Sequence, residues 1–292
     1  MMKYAIILPL MLVFASCSNN TETNAVDSLK NLVDTNSVDY SDSTAPADWP
    51  RVVLKTTAGN LTLALNPEQK QHTENFLKLV KSKYYNGQLF HRVIKDFMIQ
   101  SGDPKSVNAS PTAMIGDGGP NYTVPSEIKP NLYHFRGALA AARQSDDVNP
   151  MKNSSGSQFF IVTGTLLDDL HLKQSLEAQA FERFRNDPAN QDYVRKGQAL
   201  SQSGNMAALQ ELEQEVQKKM QPVIEELFGK IPSEVKQRYA HWGGSPSLDN
   251  NYTVFGKLVS GYNVLSAIEK EPTGSGDRPK KDVKIIEAFI PE

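Results

Sequence analysis

FHRVIKDFMIQSGD, Phe90–Asp103, decides the reading of this 292-residue chain. Two short runs, Leu89–Ile94 and Phe97–Gln100, flank the break Lys95–Asp96. Both are rich in β-branched, aromatic and long apolar residues, and they predict a pair of strands. Arg92 stands inside the first run, where a charge costs free energy unless it pairs, reaches solvent or does chemistry. It reads either as an arginine pairing a carboxylate at a sheet surface or as a functional group. Phe97, Met98 and Gln100 in the second run predict an apolar floor with one amide beside the guanidinium. Phe97 and Met98 are adjacent, so an ideal strand points them to opposite faces. Both meet one pocket only through a twist, a bulge or a place at an edge.

Working outward, Arg51–Thr56 and Leu61–Leu65 flank Ala58-Gly59-Asn60 and predict a hairpin. Asn66 as N-cap, Pro67 at the first helical position and Gln69 at capping-box spacing predict a helix with Phe76, Leu77 and Val80 on its apolar face. Gly116, Gly118 and Gly119 are followed by no Lys-Ser/Thr, so the segment is no P-loop. Gly137–Ala142, Gln158–Thr163 and Tyr252–Leu258 read as strands. A helix over Val264–Lys270 and a strand Val283–Ile290 end the chain. This pattern predicts a mainly β protein, a closed antiparallel barrel capped by two helices. Residues 166–246 interrupt it. There Leu209, Leu212, Val216, Met220, Val223 and Leu227 recur at helical spacing, and the stretch is expected to be a helical excursion packing on itself.

The opening stretch, together with SSGSQFFIVTG (Ser154–Gly164), GDGGPNYTVPSE (Gly116–Glu127), RGALAAAR (Arg136–Arg143) and LDNNYTVFGKL (Leu248–Leu258), resembles the cyclophilins, a family of peptidyl-prolyl cis–trans isomerases. GDGGPNYT and AAAR are similar to its bacterial branch. The resemblance covers about Arg51–Thr165 and Pro246–Ile290 and implies an eight-stranded cyclophilin-like barrel over 49–292.

Rotation about an X-Pro bond has a barrier of about 20 kcal/mol because amide resonance must break. A cation donating to the freed nitrogen lone pair stabilises the twisted amide over the planar one, and only such differential binding lowers the barrier. The resemblance makes Arg92 catalytic, with Gln100 orienting it and binding substrate backbone. It places Phe97, Met98, Phe160, Leu248 and Tyr252 around the proline, and Ala142 and Arg143 along the peptide groove. Ser247 stands where eukaryotic members have Trp, which implies weak cyclosporin binding. Tyr252 stands where they have His and keeps an aromatic wall. No cofactor and no metal are implied. The five histidines show no ligand spacing, and no Gly-x-Ser-x-Gly marks a serine hydrolase. The rival function is an envelope chaperone or scaffold that uses the proline groove only for binding.

Met1–Cys17 reads as a leader: Lys3, an apolar run Ala5–Phe14, then Ala15-Ser16-Cys17. Phe-Ala-Ser-Cys resembles a bacterial lipobox with Leu replaced by Phe14, which makes Cys17, the chain's single cysteine, the lipidation site. Residues 18–48 are poor in large apolar side chains and read as a disordered tether of roughly 30 Å. The expected location is the cell envelope, lipid-anchored outside the cytoplasm and periplasmic. Expected partners are the membrane, through the anchor, and proline-containing polypeptides. The net charge of −2 with no basic run argues against nucleic acid, and a monomer is expected.

Overall fold

The computed structural model describes residues 45–292. The leader, Cys17 and residues 18–44 of the expected tether lie outside the described residues. The described chain is fixed from Ala45, before the expected start at Trp49. The Arg51 guanidinium donates to the carbonyls of Ala45, Pro46 and Trp49 at 3.1–3.2 Å.

β1 (Arg51–Thr56) alternates, with Val52, Leu54 and Thr56 buried, and turns at Thr57-Ala58 into β2 (Gly59–Leu65). Gly59 has φ +129°, and a Cβ there would meet a Val264 methyl at 2.6 Å, so glycine alone fits this turn. The remaining strands are β3 (Arg92–Ile94), β4 (Met98–Ser101), β5 (Thr123–Val124), β6 (Ala138–Ala141), β7 (Ser154–Ser155), β8 (Phe159–Val162), β9 (Val254–Ser260) and β10 (Ile285–Phe289). Eight form one antiparallel sheet in the order β10-β1-β2-β9-β6-β8-β4-β3, while β5 pairs β7 apart from it.

The sheet curls without closing into the expected barrel. Its edge strands β3 and β10 share no ladder. The seam between them carries one bridge, Leu89 to Lys284, and backbone bonds such as Phe90 N–H to the Val283 carbonyl at 2.9 Å. The run Leu89–Ile94 is therefore one strand only from Arg92 on. Nor are the described residues mainly β, since helical residues outnumber strand residues among them.

Inside the curl, Val93, Ile99, Leu139, Phe159 and Ile161 pack with two helices. α1 (Lys70–Lys81) contributes Phe76, Leu79 and Val80, and α7 (Tyr262–Glu269) contributes Leu265 and Ile268. α1 does not start at Asn66-Pro67 as the capping pattern predicts. Asn66 Oδ1 accepts from Glu68 N–H in a local turn, and the helix begins at Lys70.

Residues 169–242 hold α2 (Asp169–Ser175), α3 (Glu177–Asn186), α4 (Gln191–Ser203), α5 (Met206–Lys230) and α6 (Ser233–Trp242). Asp168 and Asn205 cap α2 and α5 through the N–H groups of His171 and Ala208. α3 and α5 share Ala180, Phe184, Met220, Ile224 and Leu227. The excursion does not pack only on itself, because Val235 and Tyr239 of α6 join Leu167 and Leu172 against Tyr133 and Phe135.

Candidate active site

Strand register builds the site. Arg92 pairs directly with Gln100 across β3–β4, Gln100 with Phe160 across β4–β8, and Phe160 with Ala140 across β8–β6. Directly opposed residues share one face, so Arg92, Gln100, Phe160 and Ala140 line the outer face. The alternate row Val93, Ile99, Ile161 and Leu139 fills the core. Met98 pairs with Ile94 and Val162 on the outer face.

There Met98, Phe160, Val162, Leu248 and Val254 are buried in a second apolar cluster, edged by half-buried Phe97, Ala142 and Tyr252. The adjacency of Phe97 and Met98 is resolved by the turn. Phe97 lies ahead of β4, with its N–H on the Ile94 carbonyl at 3.2 Å and Asp96 at φ 59°. It meets the cluster from the rim, while Met98 belongs to it from the strand.

The structure thus brings Phe97, Met98, Ala142, Phe160, Leu248 and Tyr252 together, with Arg92 and Gln100 on the same face. One side chain does other than expected. Gln100 makes no bond to Arg92. Its Nε2 donates to Gln158 Oε1 at 2.8 Å, and Gln158 Nε2 donates to the carbonyls of Gly116 and Gly118 at 3.0 and 2.7 Å. Arg92 is held instead by Asp277, Nε to Oδ2 at 3.2 Å. Arg143 lies against Tyr252 at the edge of the same cluster. Its guanidinium lies 4.7 Å from the Tyr252 ring centroid and donates to the Asn251 carbonyl at 2.8 Å and to Asp146.

Sequence reasoning missed Gln158 and Asp277. Gln158 sits inside the quoted SSGSQFF block, but nothing in its spacing names Gln100 as its partner. Asp277 is 185 residues from Arg92 and carries no local signal.

The glycine-rich segment closes one side. Buried Asp103 accepts from the N–H groups of Lys105, Gly116 and Gly118. A Cβ on Gly118 would lie 2.0 Å from Asp103 Oδ1, so this backbone approaches as only glycine can. His91 is buried beside Gly116, and its burial pushes its pKa below the ordinary value, keeping the ring neutral next to Arg92. No group of three His, Cys, Asp or Glu side chains able to hold a metal occurs among the described residues.

Behind Phe160 the His134 ring stacks at 6.1 Å and 14°, and Tyr252 stands edge-on to both rings. His134 N–H and Nδ1 both meet Asp249 Oδ1, at 2.8 and 2.9 Å.

The fold is cyclophilin-like. A crystal structure of a cyclophilin-type peptidyl-prolyl cis–trans isomerase from Cryptosporidium parvum superposes with a TM-score of 0.50 at 23% identity, covering 84% of this chain and 98% of that one. The chain belongs to the cyclophilin-type peptidyl-prolyl cis–trans isomerase family, whose model, described as cyclophilin type peptidyl-prolyl cis-trans isomerase/CLD, matches residues 51–227 and 229–289. A putative peptidyl-prolyl cis–trans isomerase of Staphylococcus epidermidis is 30% identical over 243 residues, 83% of this chain and 92% of that protein. A putative bifunctional phosphatase/peptidyl-prolyl cis–trans isomerase of Streptococcus pyogenes is 33% identical over 245 residues, 82% of this chain. The match spans only 39% of that streptococcal protein.

Proposed function

We propose that this isomerase turns X-Pro bonds in unfolded or extended clients of the cell envelope, with Arg92 stabilising the twisted amide. The carrying observation is the register that sets Arg92 opposite Gln100 and Gln100 opposite Phe160, a paired cation on the face that carries the second apolar cluster. Proline seats among Phe97, Met98, Phe160 and Leu248, with Tyr252 as a wall. The preceding carbonyl swings over Arg92. As the amide twists, its nitrogen regains a lone pair and accepts from the guanidinium, whose charge persists at any working pH. Gln100, fixed by Gln158 rather than by Arg92, offers its amide to substrate backbone. Ala142 leaves room for an extended chain, and Arg143 acts by stiffening Tyr252. The envelope setting rests on the lipobox-like Phe14–Cys17.

A protease-coupled assay on the full-length chain with an X-Pro tetrapeptide anilide, run beside proline-limited refolding of a protein, tests this reading. Acceleration of both is expected. A chain that suppresses aggregation yet leaves peptide isomerisation at the uncatalysed rate would be a holdase, and the isomerase reading would fall.

A further inference from the structure

The apolar cluster that receives the proline in this reading is backed by a residue of the helical excursion. Tyr239 lies in α6, within the excursion, and is fully buried. Its hydroxyl donates to Asp249 Oδ2 at 2.6 Å. Asp249 follows the pocket residue Leu248 directly, and its other oxygen takes both the backbone N–H and Nδ1–H of His134. His134 is the ring that stacks behind Phe160 and meets Tyr252 on edge. The network continues into the backbone where the excursion rejoins the sheet. Ser245 N–H bonds the His134 carbonyl at 2.8 Å, and Ser245 Oγ donates to the Phe97 carbonyl at 3.3 Å. Gly244 yields to Tyr239: a Cβ there would stand 2.7 Å from the tyrosine ring.

A buried carboxylate demands its full set of donors, since one left unmade costs more than one made contributes. Asp249 receives two donors from His134 and one from Tyr239. Without the third, Oδ2 has no protein partner among the described residues, and the Leu248–Asp249 turn is free to relax toward another donor. That relaxation moves the wall of the pocket and the ring behind its floor.

We propose that Tyr239 is a positioning residue of the proline pocket, holding Asp249 and, through it, His134, Phe160 and Leu248 in the geometry that receives the proline ring. The proposal rests on the isomerase reading above and makes the excursion a structural part of the substrate site. Tyr239 touches neither the reacting amide nor Arg92, so its effect falls on binding, not on the barrier.

The test is Tyr239→Phe in the full-length chain, which keeps the ring packed against Phe135 at 4.6 Å and removes only the hydroxyl. Val235→Ala, which loosens the apolar cluster around Tyr239 but removes no hydrogen bond of the network, is the control for a purely structural effect. Turnover of an X-Pro tetrapeptide gives kcat and KM, and NMR titration of the Phe160 and Tyr252 amides gives Kd for the same peptide independently of turnover. Tyr239→Phe should raise KM and Kd about tenfold with kcat within about twofold, the split expected when only pocket placement is lost. Val235→Ala should lower the thermal midpoint with KM and Kd unchanged. In an Asp249→Asn background, Tyr239→Phe should add little, because the two act as one unit. Wild-type KM and Kd for a folded Tyr239→Phe protein would overturn the proposal. So would an equal shift for Val235→Ala, which would assign the effect to helix docking. If the wild-type chain turns over no peptide, the isomerase reading fails, while Kd still decides the role of Tyr239.

Discussion

Arg92 meets the first of the two readings its sequence position allows: it pairs a carboxylate at the sheet surface. It does so on the face that carries the second apolar cluster. The pair with Asp277 is half-exposed on both sides, 41% and 44%, so its worth is about 0–1 kcal/mol. Its use is orientation: Nε is engaged, and the guanidinium makes no other hydrogen bond among the described residues. Asp277 adopts φ 59°, which asparagine also tolerates, so Asp277→Asn tests the charge without breaking the turn. We expect kcat to fall about two- to fivefold with stability unchanged within about 0.5 kcal/mol. Steady-state kinetics beside thermal melts would check it, and an unchanged kcat would show that Arg92 orients itself. That Phe160 shares the face of Arg92 and Gln100 follows only from the β4–β8 register, while an amide beside the guanidinium was legible in FHRVIKDFMIQ. The partner of each was not. Asp277 and Gln158 are set by tertiary register, which one-dimensional spacing does not encode.

At the level of elements, the start of α1 shows the same division. The sequence offered a local cap at Asn66, but the first turn of the helix is capped from a distance. Glu127 accepts from Gln71 and His72 N–H at 3.2 and 3.0 Å and from His72 Nδ1 at 2.6 Å. His72 Nε2 then accepts from Ser154 at 2.9 Å, so one carboxylate ties the helix, the loop after β5 and β7. Burial works to raise the Glu127 pKa, but the hydrogen bonds from His72 and the helix N–H groups outweigh it and leave the carboxyl below its ordinary value. Burial likewise holds the His72 pKa down despite the carboxylate, so the ring is neutral and bridges as donor and acceptor. A depressed carboxyl stabilises the fold fully above its unfolded pKa of about 4.3, and the contribution is lost as pH falls through the lower folded value. Glu127→Gln should therefore cost about 1 kcal/mol at pH 7, roughly 2–4 °C in Tm. It should also flatten the loss of stability below about pH 4.3. A variant with the wild-type acid limb would contradict this linkage. The helix itself was legible from Phe76, Leu77 and Val80. Its boundary was not, because the cap arrives from 55 residues away.

For the whole molecule, the strand blocks were legible because each carries its own alternation and turn chemistry. The excursion was legible because Leu209 to Leu227 keep a helical period. Closure was not, since whether edge strands ladder depends on how the curled ends meet, and here Leu89–Lys284 is a single bridge. What the excursion packs against was not legible either. Helical period announces an apolar face but not what covers it, and α6 turns Tyr239 toward the sheet. Cys17→Ser should move the protein from the membrane to the soluble fraction with isomerase activity per molecule unchanged. Mass spectrometry of a mature N-terminus at any residue other than 17 would refute the anchor.

The central claim is that Arg92 stabilises the twisted amide. The measurement is kcat/KM for an X-Pro tetrapeptide with Arg92→Ala, on protein whose fold is verified by its thermal midpoint. The account predicts a loss of roughly 10²–10³, the effect of removing one transition-state donor, carried by kcat, with Arg92→Lys recovering little because the donor geometry of the guanidinium is lost. A folded Arg92→Ala protein that turns over the peptide at the wild-type rate would contradict it.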